Sequence, residues 1–329
     1  MPTTIEERQL FSDHRFEQLR DELHDAQAIC AEKACVYATG SFGRREASEY
    51  SDFDLFIVSL GANDQDRNWL PNLDCILVKA DLIRATKKLN FPPFSKDGKF
   101  LRPHTVHKLV ATAGTEEDDA TNTFTARLLL LLESQPLVGH KVHAKIIDEV
   151  IAKYWREFPT HIDHFMPAYL ANDILRFWRT LCLNYEARTS EQTPEHRAKR
   201  KLANYKLKHS RMLTCFSALL FLLDIYVKQR TVTVTDAKKM VSLSPTSRVA
   251  LVAEGSGNRE LIAITTELLD LYEKFLTVTH ASEHDLIGLF SDEEQKKKLR
   301  EEQSRFGDLV FESLRSIGEG NRFYRRLVV

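Results

Sequence analysis

The sequence is poor in residues that staple, break or anchor a chain. Its five cysteines (Cys30, Cys35, Cys75, Cys182 and Cys215) are odd in number and form no Cys-x-x-Cys pair. That argues against a disulfide framework and against a cysteine-rich zinc site. Only 12 glycines and 10 prolines punctuate 329 residues, so loops are few and helices are favoured. Neither charge dominates: 46 Lys and Arg face 47 Asp and Glu, a net charge of -1. Whole-molecule attraction to nucleic acid is thereby excluded, and any basic surface must be local. The most apolar run, residues 212–227, is shorter than the ~20 residues of a membrane span. It carries Asp224 and reads as a core helix. The N-terminal stretch is polar and acidic, without a signal-peptide pattern, so a cytoplasmic location and no membrane partner are expected. The length suits two domains, and no internal repeat or low-complexity segment is visible.

What is there is concentrated in residues 36–58. Residues 36–39 read as a short buried strand. Gly40-Ser41 turns the chain, and residues 42–46 can begin a helix. Glycine at such a turn adopts φ > 0 and lets the backbone approach a ligand. Amides at a helix start and the Ser41 hydroxyl make an anion site. Asp52 and Asp54 follow at the start of a second apolar strand. Side chains at i and i+2 of a strand share a face, roughly 6–7 Å apart. Carboxylates so placed can bracket two Mg²⁺ ions about 3.5–4 Å apart, as in two-metal phosphoryl transfer, with Mn²⁺ as a substitute.

Gly40-Ser41-Phe42-Gly43-Arg44-Arg45-Glu46 followed by Ser51-Asp52-Phe53-Asp54 resembles the signature of the DNA polymerase β superfamily of nucleotidyltransferases. Within it, the pattern is most similar to the bacterial branch containing the PII-protein uridylyltransferases. The stretch 117–139, with its Leu-Leu-Leu-Glu-Ser run, is loosely similar to the region after that branch's catalytic strands. The resemblance implies an α+β fold: a polymerase-β-like core with a small mixed sheet, then an all-α helical domain closing a nucleotide cleft. It also implies a third carboxylate on a later strand, serving as metal ligand and general base. The chain is too short for that branch's hydrolase and regulatory domains, so its protein substrates are not implied.

The rest of the chain supplies the setting. Residues 4–33 read as a helix, and strands are expected at 35–39, 53–60 and 74–79. Prolines and glycine exclude a regular helix at 90–104. The boundary is expected near 118, giving a core at 1–118 and a helical domain at 119–329. Helices are expected at 125–134, 169–188, 205–228, 261–275 and 291–317, with room for one short helix in the polar stretch 231–257.

Asp74 heads the expected third strand and is the choice for the third carboxylate, with Asp97 and Asp119 in reserve. Arg44 and Arg45 are placed to clamp a triphosphate. Residues 197–211 hold seven basic residues and no acid, a track for a triphosphate or a nucleic-acid acceptor. Lys206, Lys208 and Arg211 are its candidate phosphate contacts, and Tyr205 a candidate base stack. Arg176 and Arg179 attract a weaker suspicion. His161-Ile-Asp163-His164 and His284-Asp285 lack the partners that metal sites need, and Arg102-x4-His107, which fits a loose pattern of some helical ribonucleases, falls in a proline-containing loop rather than a helix.

The expected activity is Mg²⁺-dependent transfer of a nucleoside monophosphate from an NTP to a hydroxyl, releasing pyrophosphate. The acceptor is left open among an RNA 3′ end, a protein and a small molecule. A toxin or defence protein acting on tRNA by the same chemistry fits the motif. The rivals from other classes are a non-catalytic nucleotide-binding module and a helical ribonuclease.

Overall fold

The computed structural model describes residues 2–94, 98, 101–187 and 193–328. The chain divides into two units, Met1–Arg156 and Glu157–Val329.

Unit one begins with α1 (Thr4–Glu22) and α2 (His24–Cys30). Thr3 caps α1 in a capping box with Glu6, which satisfies orphan amides at both ends of the exchange. Then follow β1 (Ala34–Thr39), the single turn α3 (Gly40–Gly43), β2 (Asp54–Ser59) and α4 (Asn72–Lys88). After these come β3 (His104–Thr105), α5 (Val106–Ala111), α6 (Glu117–Ala120), α7 (Thr123–Glu133), β4 (Gln135–Val138) and α8 (His140–Tyr154). The sheet order is β3-β2-β1-β4. β1 runs antiparallel to β2 and β4, and β2 parallel to β3. The fold is thus α+β with a small mixed four-stranded sheet.

Both faces of that sheet are covered, which is why β1 is buried along its whole length. Val36, Ala38, Leu55 and Ile57 pack with Phe16, Leu19 and Leu23 from the N-terminal helices and with Cys75, Val78 and Leu82 of α4. On the other face Tyr37 stacks on Phe56 and meets His143 of α8, and its hydroxyl lies 3.4 Å from the Ala126 carbonyl of α7. Behind α7 a polar cluster is buried around Arg127 and Asp118. Arg127 donates to both oxygens of Asp118 at 2.9 and 2.6 Å, to the Leu109 carbonyl and to the Tyr154 hydroxyl. Burial works to raise the Asp118 carboxyl, but the Arg127 and Thr123 hydrogen bonds outweigh it and hold it below the usual range.

Unit two is all helical: α9 (Ala168–Ala187), α10 (Pro194–Lys206), α11 (Met212–Gln229), α12 (Val234–Ser242), α13 (Pro245–Glu254), α14 (Arg259–Val278), α15 (Glu283–Ser291), α16 (Glu293–Gly318) and α17 (Arg322–Val328). A π turn, Leu207–Arg211, joins α10 to α11. The continuous helix His196–Gln229 is long and apolar enough to cross a membrane by length and composition, and 67% of its apolar window is buried inside the fold. The core centres on His209, whose ring stacks on Phe275 at 4.8 Å and meets Phe306 at 4.7 Å and Tyr205 at 4.3 Å.

Four expectations are corrected. Residues 74–79 are not a strand but part of α4, with Cys75, Val78 and Leu82 buried at helical spacing. The division falls after Arg156 rather than near 118, because β4 adds to the sheet alongside β1. The N-terminal helix breaks at Leu23. Residues 231–257 hold two helices, α12 and α13, each capped by a hydroxyl (Thr233, Ser244).

Candidate active site

The site is built where β1 ends and β2 begins. The antiparallel register pairs Thr39 with Asp54. Gly40 takes a left-handed φ of 68°, and a Cβ there would sit 3.2 Å from Asp54 Oδ2. Only glycine brings the turn's backbone against that carboxylate without strain. Gly43 is tighter still, since a Cβ would overlap the Glu133 carbonyl oxygen at 1.9 Å.

Phe53 separates the two aspartates and is buried against Phe42 at 4.7 Å, Phe91 at 5.3 Å and Phe16 at 6.2 Å. Extended chain alternates its side chains, so anchoring Phe53 inward sends Asp52 and Asp54 to the opposite face. Asp52 is exposed and Asp54 half-buried, while Ser41 is half-buried at the turn. Two carboxylates beside a backbone turn with a free-standing hydroxyl form an oxygen-only donor set. Mg²⁺ characteristically takes one or two carboxylates and completes its shell with water and substrate phosphate. Asp52 and Asp54 fit such an ion. Among the described residues no group of three or more His, Cys, Asp and Glu is placed to enclose one.

The turn is braced from within. The Gly40 amide donates to Glu133 Oε1 at 3.0 Å, and Arg44 bridges Glu133 at 2.8 Å and Glu46 at 2.7 Å. The Arg44 and Glu133 side chains are 7% and 0% exposed, so this ion pair is internal. Arg44 therefore does not clamp a triphosphate; it holds the turn to the end of α7. The Gly40 amide is likewise committed to Glu133 rather than to an incoming anion. Arg45 turns outward at φ 60° and donates to both oxygens of Asp13 on α1. The loop onward is stitched to the same helix by the Ala47 amide on Ser12 Oγ at 3.0 Å.

The remaining candidates fare unequally. Asp74 lies in the first turn of α4, where an acid complements the helix dipole, and not on a strand beside β2. β3, the strand that does lie beside β2, carries His104 and Thr105 and no acid. Asp119 sits in the first turn of α6, and Asp97 lies outside the described residues. Tyr205 is 1% exposed, packed against Phe275 and Phe290, and burial pushes its hydroxyl pKa well up. It is a core residue of unit two and offers no face to a base. Lys206 is exposed; Lys208 and Arg211 are half-buried, with Lys208 Nζ 5.2 Å from the centre of the Trp178 ring.

Sequence reasoning missed Glu133 as the partner of the turn. Its signal was a glutamate at the end of a run of five leucines, a position where an unpaired charge is too costly to leave buried. Two cavities open elsewhere in unit one. One of about 610 Å³ lies between α4 and the proline-containing loop, lined by Lys79, Lys87, Phe91 and Arg102. One of about 250 Å³ lies beside Phe42, Ser48 and Ser51. Neither is lined by Asp52 or Asp54. Comparison with protein-family models, with curated proteins and with solved structures finds no match to this chain.

Proposed function

We propose that the chain is a Mg²⁺-dependent nucleotidyltransferase. The observation that carries the reading is the left-handed Gly40, so close to Asp54 that a Cβ there would sit 3.2 Å from Oδ2, with Asp52 two residues earlier on the same extended segment. Asp52 and Asp54 are the residues that would hold the metal. Bound there, Mg²⁺ supplies charge neutralisation for the phosphates and a lowered pKa for the attacking hydroxyl.

The chain's own residues do the rest. Ser41 donates its hydroxyl to the triphosphate at the turn. Glu133 and Arg44 keep the turn rigid, so the Gly40 backbone does not drift into the carboxylates. In the reaction the acceptor oxygen forms a bond to the α-phosphorus, the bond to pyrophosphate breaks, and the acceptor proton leaves to solvent. Holding both partners in line accounts for much of the rate in such transfers.

The reading is tested by incubating the protein with each labelled NTP and Mg²⁺ in the presence of RNA, protein and small-molecule fractions. Label entering one fraction, lost on chelation, supports it. No incorporation and no pyrophosphate from any NTP, with nucleotide still bound, would favour the non-catalytic module instead.

A further inference from the structure

We infer that one side of unit two is a binding surface for single-stranded nucleic acid, formed jointly by α9 and the basic α10–π segment. The basic run alone would be no more than a solvated helix face. The fold adds a second helix to it. Lys208 Nζ lies over the Trp178 ring at 5.2 Å. The Cys182 thiol, raised by burial, feels both Lys208 and Arg179. Tyr185 is raised chiefly by burial, with the Arg200 charge pulling the other way. Trp178, Cys182 and Tyr185 are spaced i, i+4 and i+7 on α9, so they make one stripe, and cations from the other segment close over it.

The result is an alternation of half-buried rings and cations along about 10 Å of helix, by the rise from Trp178 to Tyr185. Backbone phosphates need the cations, and unstacked bases need ring faces beside them. Trp178 is braced edge-on against Phe216 at 5.8 Å, so its position is fixed before a ligand arrives. Glu186 is the acid that faces Cys182 and Tyr185, set against Arg179, Arg200 and Lys208. A lipid surface fits less well. Leu183 is the one strongly exposed large apolar residue on α9, and interfacial helices need a continuous apolar face.

Nucleic-acid binding here does not depend on nucleotidyl transfer, and the two are separated by variants. The test uses the full chain and a fluorescent oligouridylate of about 12 nucleotides, followed by anisotropy over a range of salt. The wild type binds, with an affinity that falls as salt rises. Arg179→Gln with Lys208→Gln weakens binding roughly tenfold and lowers the salt slope by about 1.4, at about 0.7 per phosphate contact. Both side chains reach the surface, and a thermal melt confirms that the variant is folded. Lys79→Gln with Lys87→Gln on α4, a charge-matched control in unit one, leaves binding unchanged. Asp54→Ala also binds as the wild type does. The inference is overturned by absence of oligouridylate binding, by equal loss in the α4 control, or by binding to phosphatidylserine vesicles but not to the oligonucleotide.

Discussion

The two units solve burial in different ways. Unit one mounts a sheet between helices and fixes its connections with internal charges, Arg44 with Glu46 and Glu133 around the turn, and Arg127 with Asp118 behind α7. Unit two has no sheet among its described residues and fills its centre with rings, His209 lying among Tyr205, Phe275 and Phe306. Ring packing tolerates small shifts, because dispersion is spread over many weak contacts. Ion pairs and their hydrogen bonds fix geometry, since a buried charge that loses its partner is costly. The unit with the candidate chemistry is the one whose loops are held by charge.

Acid should separate the units most widely. His104 and His143 in unit one and His209 in unit two are each pushed down to about 4, with burial the leading cause. All three are therefore neutral in the native chain, while the unfolded chain takes up their protons near 6.5. Their contribution is fully present above pH 6.5 and is lost as pH falls toward 4. Each is worth up to about 3 kcal/mol, so unit one loses about 6 and unit two about 3. Hydrogen exchange read by segment at pH 7 and pH 4.5 checks this; equal losses in both units would remove the distinction.

Next in size is Arg127→Met. It strands Asp118 and should destabilise unit one by about 3–5 kcal/mol, seen in urea unfolding. Replacing both partners, with Asp118→Leu added, should recover most of the loss. Glu133→Gln should cost less, about 2 kcal/mol, because the amide still accepts from Gly40 while Arg44 keeps Glu46. Its larger effect should be on transfer, through a loosened turn. Smallest is Lys208→Gln in unit two, where a half-buried cation over a ring contributes about 1 kcal/mol. A thermal melt that shifts as far for Lys208→Gln as for Arg127→Met would contradict the contrast between the units.

Much of unit one's frame could be read from the sequence, and the reasons are local. The continuous apolar run Leu55 to Val58 marks β2, and Gly40-Ser41 marks the turn before it. Residues 75–78 misled because a short Cys-Ile-Leu-Val run has no readable period. The fold buries Cys75 and Val78 and leaves Ile76 and Leu77 exposed, so the helix shows only in three dimensions. β4 was hidden by its length of four residues and by Pro136. The closeness of Gly40 to Asp54 was legible, because the turn and the start of the next strand follow one another within a short stretch. Arg44 and Tyr205 were misassigned because their partners, Glu133 and Phe275, lie far away in sequence. Composition gives no sign of such distant pairings.

Asp54 is the residue on which the proposed transfer depends most, and one measurement reaches it directly. Pyrophosphate release is followed for the wild type and for Asp54→Asn, at matched protein and NTP, over a Mg²⁺ titration. Asn keeps the shape beside Gly40 and removes the charge. Mg²⁺-dependent release is expected from the wild type and a loss of at least about a thousandfold in the variant, with an unchanged melting temperature. Release by a folded Asp54→Asn protein at the wild-type rate would contradict the proposed transfer.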